Sequence, residues 1–351
     1  MSMLRRAADG IGQFTKAWRN RRLAERLKKN ETSPDLDHKG YVLIGDTAKP
    51  NGLSRAYRYE SDRLSAEGLL SKSSRNFLIL GQPRHYRKIL ASPPPGFKDG
   101  YRIGLWVTEF ETFPTDWLFA LDLVHEIWTP SSFSERAIRA VTNLPVKVIP
   151  HAVRVEDGPS LDRSCFGVQA DQFLGLAIMD LGTCPDRKNP LAHIAAWRQA
   201  FGDVDRVHLL MKIRIGRNTE FMRTAIHAAL KGVRNISLVE EMFNDEDISA
   251  FQRMGDVYLS LHRSEGYGLN IHEMLERGTP AIATGYSGNM DFMPRYPHAR
   301  TVPFHLVPYS DRTRHYRDTG LQWAEPNIAA AAELLRAERN KWKARRCAAS
   351  N

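Results

Sequence analysis

The 351-residue sequence predicts an α/β protein of two parallel-sheet domains. Three observations carry that expectation. Short apolar segments alternate with helical ones along nearly the whole chain, as in parallel sheets covered on both faces. The length fits two domains of roughly 100–200 residues each. A polar, turn-rich stretch, RVEDGPSLDRS, separates two runs of alternation around residues 153–165.

In the first run, strands are predicted at residues 41–45, 77–80, 102–107, 126–128 and 146–150, with helices at 54–66 and 134–141. In the second, strands are predicted at 173–180, 207–213, 236–239, 256–261 and 280–284, with helices at 191–201, 220–230 and 271–277. The expected domains are thus 38–153 and 165–330. A basic arm, 1–37, precedes them and a basic helix, 331–351, follows.

Apolar residues at 42% and charged residues at 26% describe a folded chain rather than a disordered one. The longest apolar runs, such as FLIL and LGLAIM, are far too short to span a membrane, and the N-terminus lacks the apolar stretch of a signal peptide. Cys165, Cys184 and Cys347 are scattered and form no CxxC pair. A disulfide framework or zinc site is therefore not expected, and a reducing cytoplasm is the expected compartment.

The net charge of +10 belongs to the chain ends. Residues 1–30 hold nine Lys/Arg against Asp9 and Glu25, and residues 336–351 hold six against Glu338, which leaves the body between them slightly acidic. A basic groove for nucleic acid is not expected in such a body. The ends suit an anionic membrane surface, where each Lys or Arg is worth about 1 kcal/mol. On a helical wheel Leu4, Ile11, Phe14 and Trp18 share one face, whereas Leu23 and Leu27 fall on the other and Gly10 and Gly12 weaken the helix. A solvated tail and a membrane-docking helix both fit this pattern.

The segment SEGYGLNIHE, residues 264–273, lies between a predicted strand and a short helix. Helix, then Gly278-Thr279-Pro280, then strand completes a βαβ unit, and ligands bind outside the carboxyl ends of such strands. The helix start offers free N–H groups that favour phosphate, and Gly266 and Gly268 let a backbone approach without a Cβ between. The dinucleotide fingerprint GxGxxG fails because Ile271 stands where its third glycine belongs. Two carboxylates, Glu265 and Glu273, would repel phosphates but can each accept from hydroxyl donors. A ribose diol on one side and a sugar ring on the other satisfy both, which points to a nucleotide sugar. A second glycine turn, TGYSGNMDF, follows the next strand. Arg187 and Lys188 precede a helix and Lys212 closes a strand, all near carboxyl ends where a diphosphate would sit.

The order RKNP, LLMK and SLHRSEGYGLNIHEMLERGTPAIATGYSGNMDFM closely resembles the nucleotide-binding half of glycosyltransferase family 4. GLSRAYR, GLWVTEFETFPTDWLFALDLVHEIWTPSSFSERAI and VKVIPHAV are similar to a bacterial branch that builds surface polysaccharides, so the resemblance covers about residues 41–325. It implies an α/β fold of two Rossmann-like domains facing a central cleft (GT-B type), closing over the donor. It implies a retaining hexosyltransferase that uses a nucleotide-sugar donor and a glycan or lipid-linked acceptor in cell-surface glycan synthesis. The expected location is the cytoplasm, peripheral on the inner face of the cell membrane. Mannose is the sugar the branch suggests.

In that family pattern Glu265 approaches the donor sugar and Glu273 the ribose, while Lys188 neutralises the diphosphate with Arg187 or Lys212. Gly266, Gly268 and Leu269 line the donor, and Gly288, Asn289 and Met290 contact the distal phosphate and sugar. Gly52 faces donor phosphate or acceptor from the first domain. Three departures stand out, one being a short first domain that leaves less acceptor surface than usual. Gly182 occupies the place of an arginine six positions before the lysine, so Arg187 or Lys212 must cover its charge. Thr108-Glu109 stands in the region of a histidine near the donor sugar, leaving Glu109 either as its replacement or as a loop residue capping the next helix. No cofactor and no metal are expected. The DxD-like strings, Asp35-Leu36-Asp37 and Asp203-Val204-Asp205, do not follow apolar strands. A sugar-nucleotide epimerase and a non-catalytic scaffold, binding membrane or nucleic acid through its basic ends, are the competing readings.

Overall fold

The structure, a computed structural model, describes residues 2–35, 40–46, 52–182, 184–204, 206–216, 218–313, 315–317 and 319–349, with the backbone alone for 2–14 and 349. The chain divides into two compact units, Met1–Ala152 and Val153–Asn351.

The first unit contains α1 (Ser2–Leu27), β1 (Val42–Gly45), α2 (Gly52–Ala66), β2 (Asn76–Leu80), α3 (Tyr86–Ile89), β3 (Tyr101–Leu105), β4 (Glu126–Thr129), α4 (Ser132–Arg139) and β5 (Val146–Val148). A 3-10 segment, Thr115–Leu123, lies between β3 and β4. The five strands are parallel and stand side by side in chain order. Every residue of β2, β3 and β4 is buried, as in a sheet covered on both faces.

Helix α1 is part of this unit rather than a separate arm. Asn20, Leu23, Ala24 and Leu27 are buried, and α1 packs against the 3-10 segment. Arg26 donates to the Leu90 carbonyl and Lys29 to those of Leu121 and Val124. The guanidinium of Arg102, itself fully buried, donates to the Leu27 carbonyl at the helix end. The face that docks is thus the Leu23/Leu27 side. Trp18, from the opposite stripe, is 50% exposed, with Arg22 stacked over its ring at 4.6 Å. The side chains of Leu4, Ile11 and Phe14 lie outside the described residues.

The second unit contains β6 (Phe173–Leu181), α5 (Pro185–Lys188), α6 (Pro190–Phe201), β7 (Val207–Ile215), α7 (Glu220–Leu230), β8 (Ile236–Val239), α8 (Asp245–Gln252), β9 (Val257–Ser260), α9 (Leu269–Glu276), β10 (Ala281–Thr284), β11 (Ala299–Val302), β12 (Phe304–Pro308), β13 (Gln322–Pro326) and α10 (Ile328–Ala349). Six parallel strands run in the order β11-β10-β9-β6-β7-β8. The chain order reverses between β6 and β9, the position where open α/β sheets bind ligands.

Alternation along the strands divides the core in two. Phe173, Ala177, Met179 and Leu181 of β6 join Trp197 of α6, Ile226 of α7 and Ala331, Leu335 and Trp342 of α10 in one cluster. Leu174 and Leu176 join Phe251 of α8 and Ile271, Met274 and Leu275 of α9 in the other. Each fully buried Leu, Ile or Phe contributes about 1.5–3 kcal/mol.

Three strands were not anticipated. β11, ARTV, lacks an apolar run. β12 and β13 form an antiparallel hairpin, registered from Phe304↔Pro326 to Pro308↔Gln322. Their prolines read locally as loop signals, and β12 is mostly exposed, so it has no apolar/polar alternation to show.

Candidate active site

The carboxyl ends of β6, β9 and β10 carry three turns that pack together. After β6, α5 begins at Pro185 and stops at Asn189, whose φ of 53° is left-handed and tolerated by asparagine. Lys188 donates to Glu265 Oε1, and Arg187 Nη1 lies 3.3 Å from Glu265 Oε2 while donating to the Ser264 carbonyl at 2.7 Å. Arg187 and Lys188 are 8% and 18% exposed, so two shielded cations share one carboxylate. Burial alone would raise the Glu265 pKa, but Lys188 and Arg187 outweigh it and hold the group at about 2.

The β9 and β10 turns are joined backbone to backbone. The Gly288 N–H donates to the Glu265 carbonyl at 2.9 Å, and the Glu265 N–H donates to Ser287 Oγ at 2.8 Å. Ser287 has a φ of 76°, and a Cβ on Gly288 would stand 2.1 Å from the Gly266 carbonyl oxygen. Only glycine permits that approach. Gly268, at φ 96°, is the N-cap of α9, and Leu269 is its first residue.

Behind the turns lie two neutral histidines. His262 Nε2 meets Asn289 Oδ1 at 3.1 Å and its Nδ1 meets Ser260 Oγ at 3.0 Å. Asn289 Nδ2 donates to the Thr284 carbonyl, so this side chain closes the turn from inside. His193 Nε2 accepts the Leu261 N–H at 3.0 Å, which assigns its Nδ1–H to the Asn189 carbonyl at 2.9 Å. Burial lowers both histidine pKa values, His193 to about 4.

Glu273 is buried on α9, where Gln252 Nε2 donates to its Oε2 at 2.6 Å. Lys212 does not join the Lys188–Glu265 group. Its ammonium lies 5.1 Å from the Phe243 ring centre, burial lowers its pKa, and Asp180, Arg214, Glu241 and Glu240 are its charged neighbours. Gly266 and Gly288 thus meet directly, and Asn289 and Met290 sit on the adjoining 3-10 turn.

Arg214, not singled out in the sequence, stands beside Gly182. It pairs with Asp180, and its Nη2 would lie 3.0 Å from a Cβ on Gly182. A Cβ on Gly216 would in turn stand 2.7 Å from the Gly182 carbonyl. An arginine between two glycines at adjoining strand ends was the available signal. Asp186, Arg263 and Glu325 were also missed, because their partners are distant in the chain.

Glu109 and Gly52 belong to the first unit. Glu109 follows β3 and is half-buried, and the next 3-10 segment is entered through Pro114. Gly52 opens α2, and among the described residues nothing beyond its own helix and chain neighbours lies within 4 Å of a Cβ placed there. Among the described residues, no group of three His, Cys, Asp or Glu side chains is arranged to hold a metal. Asp37 and Asp205 of the two DxD strings lie outside them.

A strand-order reversal with a cationic turn and two glycine turns at its carboxyl edge gives the second unit a Rossmann-like arrangement with a candidate ligand site at the reversal. No protein-family model and no curated protein matches the chain. Among solved structures, HepE of Anabaena, determined with UDP and glucose, aligns at TM-score 0.57 and 15% identity over 72% of this chain and 82% of that one. A UDP-forming α,α-trehalose-phosphate synthase from Burkholderia xenovorans, determined with glucose-6-phosphate, aligns at TM-score 0.53 and 10% identity over 80% and 69%. TarM of S. aureus, determined with UDP, aligns at TM-score 0.50 and 15% identity over 76% of this chain and 48% of that one, so this chain spans about half of TarM. These likenesses give the fold: two Rossmann-like domains of the GT-B type.

Proposed function

We propose that the protein is a retaining glycosyltransferase, similar to family 4, that moves a hexose from a nucleotide sugar to a glycan or lipid-linked acceptor in cell-surface glycan synthesis. The carrying observation is the Lys188–Arg187–Glu265 group, held against the Gly288 turn at the strand-order reversal.

Departure of the sugar leaves negative charge on the nucleoside diphosphate. Lys188 and Arg187, fixed in place and shielded from water, stabilise that charge, and Arg214 supplies the cation that Gly182 does not. Glu265 addresses the sugar hydroxyls and Glu273, oriented by Gln252, the ribose. Retention follows from front-face attack in which the leaving phosphate takes the acceptor proton, a route that calls on no metal. HepE and TarM were determined with UDP, which makes UDP the first base to test; GDP-mannose remains the donor suggested by the sequence branch.

The expected result of a thermal-shift screen with UDP, GDP, ADP and dTDP is stabilisation of several degrees by one of them, unchanged by EDTA and lost in Lys188→Ala. No shift with any of the four would favour a non-catalytic scaffold. Release of an altered free sugar without acceptor would favour an epimerase.

We also propose that α1 docks on an anionic membrane at the inner face of the cytoplasmic membrane. Trp18 and Arg22 are exposed on the side of α1 opposite its docked leucines, and Arg19 and Arg21 are exposed on its flanks. No described helix is long and apolar enough to cross a membrane. The C-terminal basic residues are less available: Arg336 donates to the Gln199 carbonyl, Arg339 stacks over Phe201, Lys341 pairs with Glu338, and Arg346 donates to the Ala170 carbonyl. Arg19→Glu with Arg22→Glu and Trp18→Ser is expected to weaken binding to vesicles containing phosphatidylserine at least tenfold, at about 1 kcal/mol per charge. Removing residues 1–30 is not an equivalent test. It strips Leu23 and Leu27 from the core and leaves buried Arg102 without its carbonyl, so a fall in Tm is expected there.

A further inference from the structure

Helix α5 is a single turn of four residues, too short to hold its own shape. Yet it presents both Arg187 and Lys188 to Glu265, so something outside it must fix its position. Arg263, two residues before Glu265, does so from two directions. Its backbone N–H donates to the Arg187 carbonyl at 2.8 Å, and its Nη1 donates to the Asp186 carbonyl at 2.9 Å. Consecutive carbonyls of α5 are thereby held by one residue.

The other side of Arg263 is anchored in the β12–β13 hairpin. Its Nε and Nη2 lie 2.7 and 2.6 Å from Glu325 Oε2, and its guanidinium stacks over the Trp323 ring at 5.1 Å. The Ala324 N–H donates to the Arg263 carbonyl at 2.9 Å. Glu325 Oε1 is 3.4 Å from Asn189 Nδ2, at the far end of the same turn. The pair is partly buried, at 21% and 29% exposure, so its geometry is less screened than that of a surface pair.

We infer that Arg263 and Glu325 are positioning residues that set where Lys188 and Arg187 stand, and thereby the affinity for the diphosphate part of the ligand. This rests on the reading of the second unit as a nucleotide-sugar site. It makes the hairpin a working part of that site: the planar fork of Arg263 carries position from β13 to the cationic turn. Lysine has no such fork and cannot hold Glu325 and the Asp186 carbonyl together.

The test measures dissociation constants for UDP, GDP, ADP and dTDP and for their four nucleosides, in wild type, Arg263→Lys, Glu325→Gln and Glu338→Gln. Glu338, on α10, pairs with Arg300 of β11 and serves as a stability control. Arg263→Lys and Glu325→Gln are each expected to weaken the preferred diphosphate about tenfold, the scale of one charge-assisted hydrogen bond, with nucleoside binding unchanged. Glu338→Gln is expected to lower Tm without changing the diphosphate-to-nucleoside ratio. An unchanged ratio in both Arg263→Lys and Glu325→Gln overturns the inference, whatever happens to their Tm. A wild type that binds none of the eight compounds overturns the functional reading itself, and this inference with it.

Discussion

Replacing Glu265 by glutamine is expected to slow the proposed sugar transfer sharply and to destabilise the second unit. The carboxylate is the counter-charge for two shielded cations, Lys188 and Arg187. Removing it leaves both uncompensated, and breaking a buried pair in this way typically costs about 3–5 kcal/mol. The same loss removes the carboxylate that orients the Lys188 ammonium and one contact of Arg187, so turnover in the proposed transfer is expected to fall about 100- to 1,000-fold, the range seen when one preorganised charge-stabilising group is lost.

The pH dependence gives a second readout. The folded pKa of Glu265, at about 2, lies below the ordinary glutamate value of 4.5. A depressed carboxylate pKa stabilises the fold fully above about pH 4.5, and that contribution is lost as pH falls toward 2. Wild type should therefore lose stability over pH 4.5 to 2 more steeply than Glu265→Gln, the two Tm curves converging at the acid end. Parallel curves across that window would show that Lys188 and Arg187 do not hold the carboxylate as described.

The second large effect is expected at Gly288. A methyl group there would overlap the Gly266 carbonyl, with its carbon 2.1 Å from the oxygen and 2.5 Å from the carbonyl carbon. Neither atom belongs to a side chain that can rotate away, so Gly288→Ala must push the β9 and β10 turns apart. The Gly288 N–H to Glu265 carbonyl bond then lengthens, and with it the bond from the Glu265 N–H to Ser287 Oγ. Overpacking of this kind costs about 1–3 kcal/mol or more, and the cleaner signature is functional. Nucleoside diphosphate binding should be lost under conditions where circular dichroism still reports a folded protein. Retention of wild-type affinity by Gly288→Ala would mean that the two turns do not have to touch for the site to work.

The residues of the candidate site were legible because each lies on a strand-ending turn next to a recognisable helix start. Glu265, Glu273 and the glycines between them could be placed on a βαβ unit from local pattern alone. Lys188 could be placed at a carboxyl edge in the same way. Lys212 was expected to close its strand, but β7 continues to Ile215, and the Lys212 ammonium lies over the Phe243 ring with Asp180 and Arg214 as charged neighbours. That Arg214 stands beside Gly182 depends on the register of β6 with β7, where Asp180 is opposite Arg214. No spacing within one segment encodes that.

By itself, then, the sequence determined the α/β alternation, the βαβ unit around the glutamates and the basic chain ends, all set by periodicity and turn chemistry over a dozen residues. Tertiary structure decided which stripe of α1 docks, since a helix with two apolar stripes is committed only by the surface it meets. It also decided that a hairpin from residues 304–326 braces α5, because Arg263 and Glu325 are 62 residues apart and meet only when the turn after β9 is brought against β13.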